Sequence, residues 1–191
     1  MKKIVMILAL VAMVPVLGYA AEKKAVLVIP ASEVHDLELT AAKNALVSAG
    51  IEVKLAAPSL ASVKGMLGGS YSPDVAITDI DVQHTDAIAV IGGNGSFKLW
   101  EDQQLISKTQ VFAAQGKIVA AICAASGVLA NAGLLKGIPA TSYPYEPIIK
   151  LLKDKGAQYV DQTVVVSGKI VTANGPDASV PFGKQLAKML E

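Results

Sequence analysis

The sequence predicts one α/β domain, a doubly wound and mostly parallel sheet with helices on both faces. Three observations carry this. Continuous apolar, β-rich runs recur, as strands buried on both faces require. Helical patterns lie between those runs, and the length suits a single core that needs neither disulfides nor metal.

The first twenty residues stand apart. Lys2 and Lys3 precede an apolar run from Ile4 to Leu17, followed by the small residues Gly18 and Ala20. This is the pattern of a secretory signal cleaved after Ala20. A retained anchor fits less well, because the run is shorter than the roughly 20 apolar residues that span a bilayer and contains Pro15. No cysteine lies near the cleavage point to carry a lipid. Residues 1–20 are therefore expected to be a signal peptide and residues 21–191 a single domain, secreted across the inner membrane and periplasmic, with no membrane contact after cleavage. Without Lys2 and Lys3, the 17 basic residues become 15 against 16 acidic ones, a net charge of −1. Such a balance offers no electrostatic handle for nucleic acid or an anionic membrane.

The elements follow in order. Strands are expected at Ala25–Ile29, Ile51–Ala56, Ala87–Ile91 and Lys117–Ile122. A helix over Leu37–Ala49 places Leu37, Ala41, Ala45 and Val47 at apolar positions, and another helical stretch covers Phe97–Gln115. Gly50 and Gly116 follow these helices as left-handed caps. Val63–Val75, with Gly65, Gly68, Gly69 and Pro73, is expected to be a small β-hairpin excursion. Thr163–Val166 and Ile170–Ala173 flank Ser167 and Gly168, a hairpin whose connection Lys169 can extend. A helix over Ala178–Leu190 closes the chain. In such a sheet, functional groups collect at the carboxyl ends of the strands.

Cys123 is the only cysteine and so cannot form an internal disulfide. The apolar strand ending at Ile122 runs into Cys123, Ala124, Ala125, Ser126 and Gly127, a nucleophile-elbow pattern in which small residues keep the turn open. The following helix offers free N–H groups and the positive end of its dipole, and both favour a thiolate with a lowered pKa. The plainer alternative is a packed cysteine acting as a small hydrophobe.

The segment from Ala120 to Gly137, with Ala-Ala-Ile-Cys-Ala-Ala and Ala-Gly-Leu-Leu-Lys-Gly, resembles the DJ-1/PfpI (ThiJ/PfpI) family of the class I glutamine amidotransferase-like superfamily. Gly92-Gly93-Asn94 is similar to the family's glycine turn, Thr141-Ser142-Tyr143-Pro144 to its segment beyond the elbow helix, and Asn174-Gly175-Pro176 with Ala178 and Ser179 to its C-terminal loop. The similarity spans Ala25 to Leu190 and implies a flavodoxin-like fold. It further implies that Glu38 hydrogen-bonds the cysteine and that the N–H groups of Gly93 and Ala124 form an anion pocket at the sulfur. Gly92, His35, Tyr143 and Asn174 are possible pocket residues. A protonated Glu38 can donate to a thiolate or an oxidised sulfur, and it is placed to act as general acid or base. Read alone, Glu38 is also a helix-terminus carboxylate favoured by the macrodipole.

Histidine marks a departure from the family. Peptidase-like members carry it directly after the cysteine, where Ala124 stands, and others carry it at the position of Tyr143. Peptidase activity is not expected. His35 precedes Glu38 in the loop after the first strand and is either a pocket or a solvated residue; His84 is expected at the surface. One cysteine and two separated histidines have no metal-ligand spacing, and the run Gly92 to Ser96 lacks a phosphate-loop or dinucleotide fingerprint. No cofactor is expected. Three functions remain open: cofactor-independent, glyoxalase- or deglycase-like chemistry on a small-molecule carbonyl; an oxidative-stress sensor whose Cys123 meets a small oxidant; and a binding module. The family resemblance implies a homodimer.

Overall fold

The computed structural model describes residues 22–191; the expected signal peptide lies outside the described residues. The chain runs through β1 (Lys24–Val28), α1 (Asp36–Ser48), β2 (Glu52–Ala57), β3 (Val63–Lys64), β4 (Ser70–Tyr71), β5 (Val75–Ala76), β6 (Ala87–Val90), α2 (Gln103–Ala114), β7 (Ile118–Ile122) and α3 (Ser126–Asn131). It continues through β8 (Pro139–Ala140), α4 (Glu146–Asp154), β9 (Gln158–Tyr159), β10 (Val164–Ser167), β11 (Ile170–Ala173) and α5 (Ser179–Leu190).

Seven strands form the central sheet in the order β10-β11-β7-β6-β1-β2-β5. All pairs are parallel except β10 with β11. The inner strands β1, β6 and β7 are apolar almost throughout because layers cover both of their faces, and Val26, Leu27, Val90 and Val119 are all buried. From β1 the chain steps to β2 in one direction, and from β6 it steps to β7 in the other. Right-handed crossovers running in opposite directions put α1 and α2 on opposite faces. The reversal falls between the adjacent strands β1 and β6. The crevice beyond their carboxyl ends is where a doubly wound sheet binds ligands, and the loops that follow β1, β6 and β7 all open there.

Four local features depart from the sequence reading. The stretch expected to be helical over Phe97–Gln115 divides into a tight turn of 3₁₀ type, Asn94–Leu99, and α2. The break comes from the Asp102 carboxylate, which accepts from the N–H groups of Gln104 and Leu105, both at 3.0 Å, and so starts a new helix. In the Val63–Val75 excursion only β3 and β4 pair as a hairpin; Val75 opens β5, which joins the main sheet beside β2. Ser167 belongs to strand β10, so the β10–β11 connection is Gly168 and Lys169. Helix α4 and the two-residue pair β8–β9 were not anticipated. Among the described residues no helix is long and apolar enough to cross a membrane.

Candidate active site

Cys123 occupies the elbow between β7 and α3 with φ of 61°, a left-handed conformation that a non-glycine residue adopts at a cost of about 1 kcal/mol or more. The surroundings hold it there. Strand β7 is fully buried up to Ile122, and Ala124 and Ala125 are small enough to pack beneath the turn. From the other side, Trp100 Nε1 donates to the Ala124 carbonyl at 2.7 Å. Its ring fills the space at Gly127, where an added Cβ would lie 2.3 Å from Trp100 Cε2.

Glu38 reaches the same point from the first turn of α1, and its residue is fully buried. Oε2 accepts from the Gly92 N–H at 3.0 Å. Oε1 is buried, and the Cys123 thiol stands near enough to the carboxyl to favour its ionised form. Gly92 makes this convergence possible: an added Cβ would stand 2.6 Å from both Cys123 Cβ and Glu38 Oε2.

Burial dominates the electrostatics of the pair. It pushes Glu38 up to about 7, against the opposing hydrogen bonds from Cys123 and Gly92. It also pushes the Cys123 thiol up to about 12, aided by the charge of Glu38 and opposed by the N–H groups of Ala124 and Gly93. The thiol beside an ionised Glu38 therefore shifts opposite to the sequence expectation. Cys123 is 7% exposed, and the six-residue α3 with its preceding 3₁₀ turn does not offset that desolvation. Two acidic groups this close to one another share a single negative charge between about pH 7 and 12.

Cys123 and Ala124 open onto a cavity of about 520 Å³, which also contains His35, Gly93 and Tyr143. Gly92 and Glu38 stand behind the sulfur instead of lining this space. Asn174 does not line it either, and its backbone N–H is taken by the Thr163 carbonyl at 3.0 Å. The neighbours of Asn174 do approach: Pro176 lines the cavity, and a Cβ on Gly175, at φ of 134°, would lie 2.9 Å from Tyr143 Cδ2 and 4.0 Å from Cys123 Sγ. His35 sits at the N-cap position of α1 and donates its backbone N–H to the Gly92 carbonyl at 3.0 Å. Its Nδ1 is buried without a partner, and burial lowers its pKa, so the ring is neutral at pH 7. His84 is exposed and pairs with Asp81 at 2.8 Å, as expected of a surface residue.

Sequence reasoning missed Met66, Phe97 and Tyr145, which complete the walls. Met66 arrives on the β3–β4 hairpin. Its N–H donates to the Val34 carbonyl at 3.0 Å, and the Asp36 carboxylate accepts from Leu67 N–H at 2.7 Å, Gly69 N–H at 2.8 Å and Tyr71 hydroxyl at 2.9 Å. Burial disfavours the charge on Asp36, but these donors outweigh it and hold the carboxyl below its ordinary value. A larger groove of about 780 Å³ runs between α1 and α5, yet it contains neither Cys123 nor Glu38, and its charged residues, Lys184, Lys188 and Glu191, are solvated. The smaller cavity is the one that contains Cys123. Among the described residues no group of three or more metal-ligating side chains comes together.

A strained cysteine at a strand–helix elbow, backed by a buried carboxyl at the switch point of a doubly wound sheet, defines a class of cysteine-centred α/β proteins. Within that class the chain belongs to the DJ-1/PfpI family, whose family model matches residues 23–189. It is 32% identical over 175 residues to a glutathione-independent glyoxalase of Caenorhabditis elegans, covering 90% of this chain and 91% of that one. It is 29% identical over 166 residues to a deglycase of Pyrococcus horikoshii, covering 87% and 99% respectively. Among solved structures, a ThiJ/PfpI domain protein from Brachyspira murdochii superposes with a TM-score of 0.85 at 29% identity, covering 88% of this chain and 97% of that one.

Proposed function

We propose that this chain is a cofactor-independent, cysteine-dependent enzyme acting on small reactive carbonyls, as a glyoxalase or deglycase does. The observation that carries this is the elbow cysteine, facing a cavity with a buried, near-neutral-titrating carboxyl behind it. The Cys123 sulfur adds to the aldehyde carbon of a 2-oxoaldehyde while the N–H groups of Gly93 and Ala124 stabilise the developing oxyanion, and protonation gives a hemithioacetal. Glu38, as carboxylate, removes the hydrogen of the former aldehyde carbon. Return of that proton to the neighbouring carbon leaves a thioester, and water then releases a 2-hydroxy acid and frees the thiol. The aldehyde carbon is oxidised as the ketone carbon is reduced, so no external redox partner is needed. Methylglyoxal turnover should therefore be measurable in the native chain and fall to background in Cys123→Ser. Turnover that survives this replacement would overturn the proposal.

A second reading is supported by Ala124 and Tyr143, which stand where relatives carry the partner histidine. Without that base, Cys123 would act as a sensor oxidised by peroxide to a sulfinate, held by a protonated Glu38. Stoichiometric gain of two oxygens at Cys123 on intact mass, without carbonyl turnover, would favour it.

We further propose that the protein is exported and works as a homodimer. The signal-like first twenty residues support export, and the exposed Leu37 and Val180 beside the α1–α5 groove support self-association. Exported protein should begin at Ala21 by mass spectrometry and scatter light as a dimer at tens of micromolar; an uncleaved membrane-bound chain or a monomer would refute the respective half.

A further inference from the structure

The reacting end of a 2-oxoaldehyde needs only the sulfur, Glu38 and the two N–H donors, yet the cavity is far larger than that end. Its volume of about 520 Å³ falls in the range of roughly 300–1,000 Å³ that encloses drug-sized ligands. The surplus space is walled by large apolar side chains left partly open to solvent: Phe97 at 37%, Met66 at 40%, Tyr143 at 44% and Tyr145 at 50%. Single exposed apolar residues are ordinary, but four converging on one opening mark a surface meant to be covered.

The wall is also prearranged. Phe97 meets Tyr145 edge to face at 6.4 Å and 89°, and packs against Trp100 at 4.9 Å and 46°. Trp100 is in turn tied to the carbonyl of Ala124, whose N–H points at the sulfur. A continuous chain of contacts therefore links the aromatic wall to the backbone beside the reacting atom. On the opposite side Met66, flexible and polarisable, is held over the cavity by the Asp36 strap.

Charge completes the argument. No lysine lines the cavity, and the chain contains no arginine at all. The only basic ring there, His35, is kept neutral by burial. A carboxylate or phosphate on the substrate's tail would lose its hydration without gaining a counter-ion, beside the negative charge already held by the Cys123–Glu38 pair.

We propose that this cavity selects uncharged 2-oxoaldehydes carrying an aromatic or bulky apolar tail, in preference to the smallest and to anionic carbonyls. The inference rests on the carbonyl chemistry proposed above and names its substrate class. Filling an apolar pocket with even one extra methylene is worth about tenfold or more in kcat/KM. Phenylglyoxal is therefore expected to exceed methylglyoxal by at least about tenfold, after each is normalised to its reactivity with a free thiol. Phenylglyoxal ordinarily attacks arginine in proteins, and here it meets none.

Phe97→Ala should lower kcat/KM for phenylglyoxal more than for methylglyoxal, collapsing the ratio. Methylglyoxal turnover with no phenylglyoxal advantage would overturn this inference and leave the carbonyl reading standing. Absence of turnover with either substrate would instead overturn the carbonyl reading. The ligand class is then decided by binding alone: Trp100, the single tryptophan, reports acetophenone against acetone in the Cys123→Ser protein. Saturable fluorescence change with acetophenone only supports an aromatic-tail site; equal or absent responses refute it.

Discussion

Alkylation of Cys123 by iodoacetamide is expected to rise with an apparent pKa near 7 and then level off in the native chain, but to go on rising beyond pH 7 in Glu38→Gln. The reason lies in the shared charge. The first proton lost by the pair leaves at about 7, formally from Glu38. Once it has left, the remaining proton can sit on either group, and the arrangement with thiolate and carboxylic acid is the reactive one. Glutamine keeps the acceptor for the Gly92 N–H and offers a donor to sulfur, but it has no proton to exchange. Cys123 must then ionise on its own against burial, which is the largest cause raising its pKa. Loss of the Glu38 charge removes the second cause, so the variant should titrate below the native chain's second step near 12 yet above its first. Identical profiles in the two proteins would mean that carboxyl and thiol are uncoupled.

Much of the fold was legible because its central strands are buried on both faces. Val26 to Val28, Ala87 to Val90 and Ile118 to Ile122 are continuous apolar runs that only a covered parallel sheet explains. Elements with little burial escaped. Helix α4 buries only Ile148 and Leu152 over nine residues, although their i, i+4 spacing and Pro147 within the first turn were readable signals. The β8 and β9 strands are two residues each, too short for any periodicity. Asp102 was a readable helix start inside the stretch taken as one helix.

The site divides along a similar line. Cys123, Ala124, Glu38 and Gly93 lie at strand ends or the following turns, where the topology brings loops together whatever their sequence. Met66 comes from a hairpin whose attachment to Val34 and Asp36 is tertiary, and Phe97 and Tyr145 meet from segments far apart in the chain. No local pattern encodes such meetings. The sign of the cysteine's shift was misread for a related reason: a helix N-terminus is visible in sequence, whereas the depth at which it is buried is not.

That depth also makes Glu38 expensive to ionise, and the second large effect follows from it. Its ordinary value of 4.5 rises to about 7 in the folded chain. A group whose folded pKa is raised supplies stability that is fully present below the unfolded value and is lost as pH rises through the folded one. Between about pH 4.5 and 7 the native chain should thus lose up to about 3 kcal/mol, at 1.36 kcal/mol per unit. Glu38→Gln cannot ionise and retains the Gly92 hydrogen bond, so it should escape this loss. Urea unfolding at pH 4 is expected to rank the two proteins within about 1 kcal/mol of each other, allowing for the amide's own desolvation. At pH 8.5 the variant should be the more stable by about 2–3 kcal/mol, which for a chain of this size raises Tm by several degrees. The same replacement that lifts the ceiling on Cys123 ionisation would then stabilise the fold, as expected of a charge maintained for chemistry at the expense of stability. A stability difference that stays constant from pH 4 to 8.5 would show that Glu38 remains protonated, or solvated, throughout.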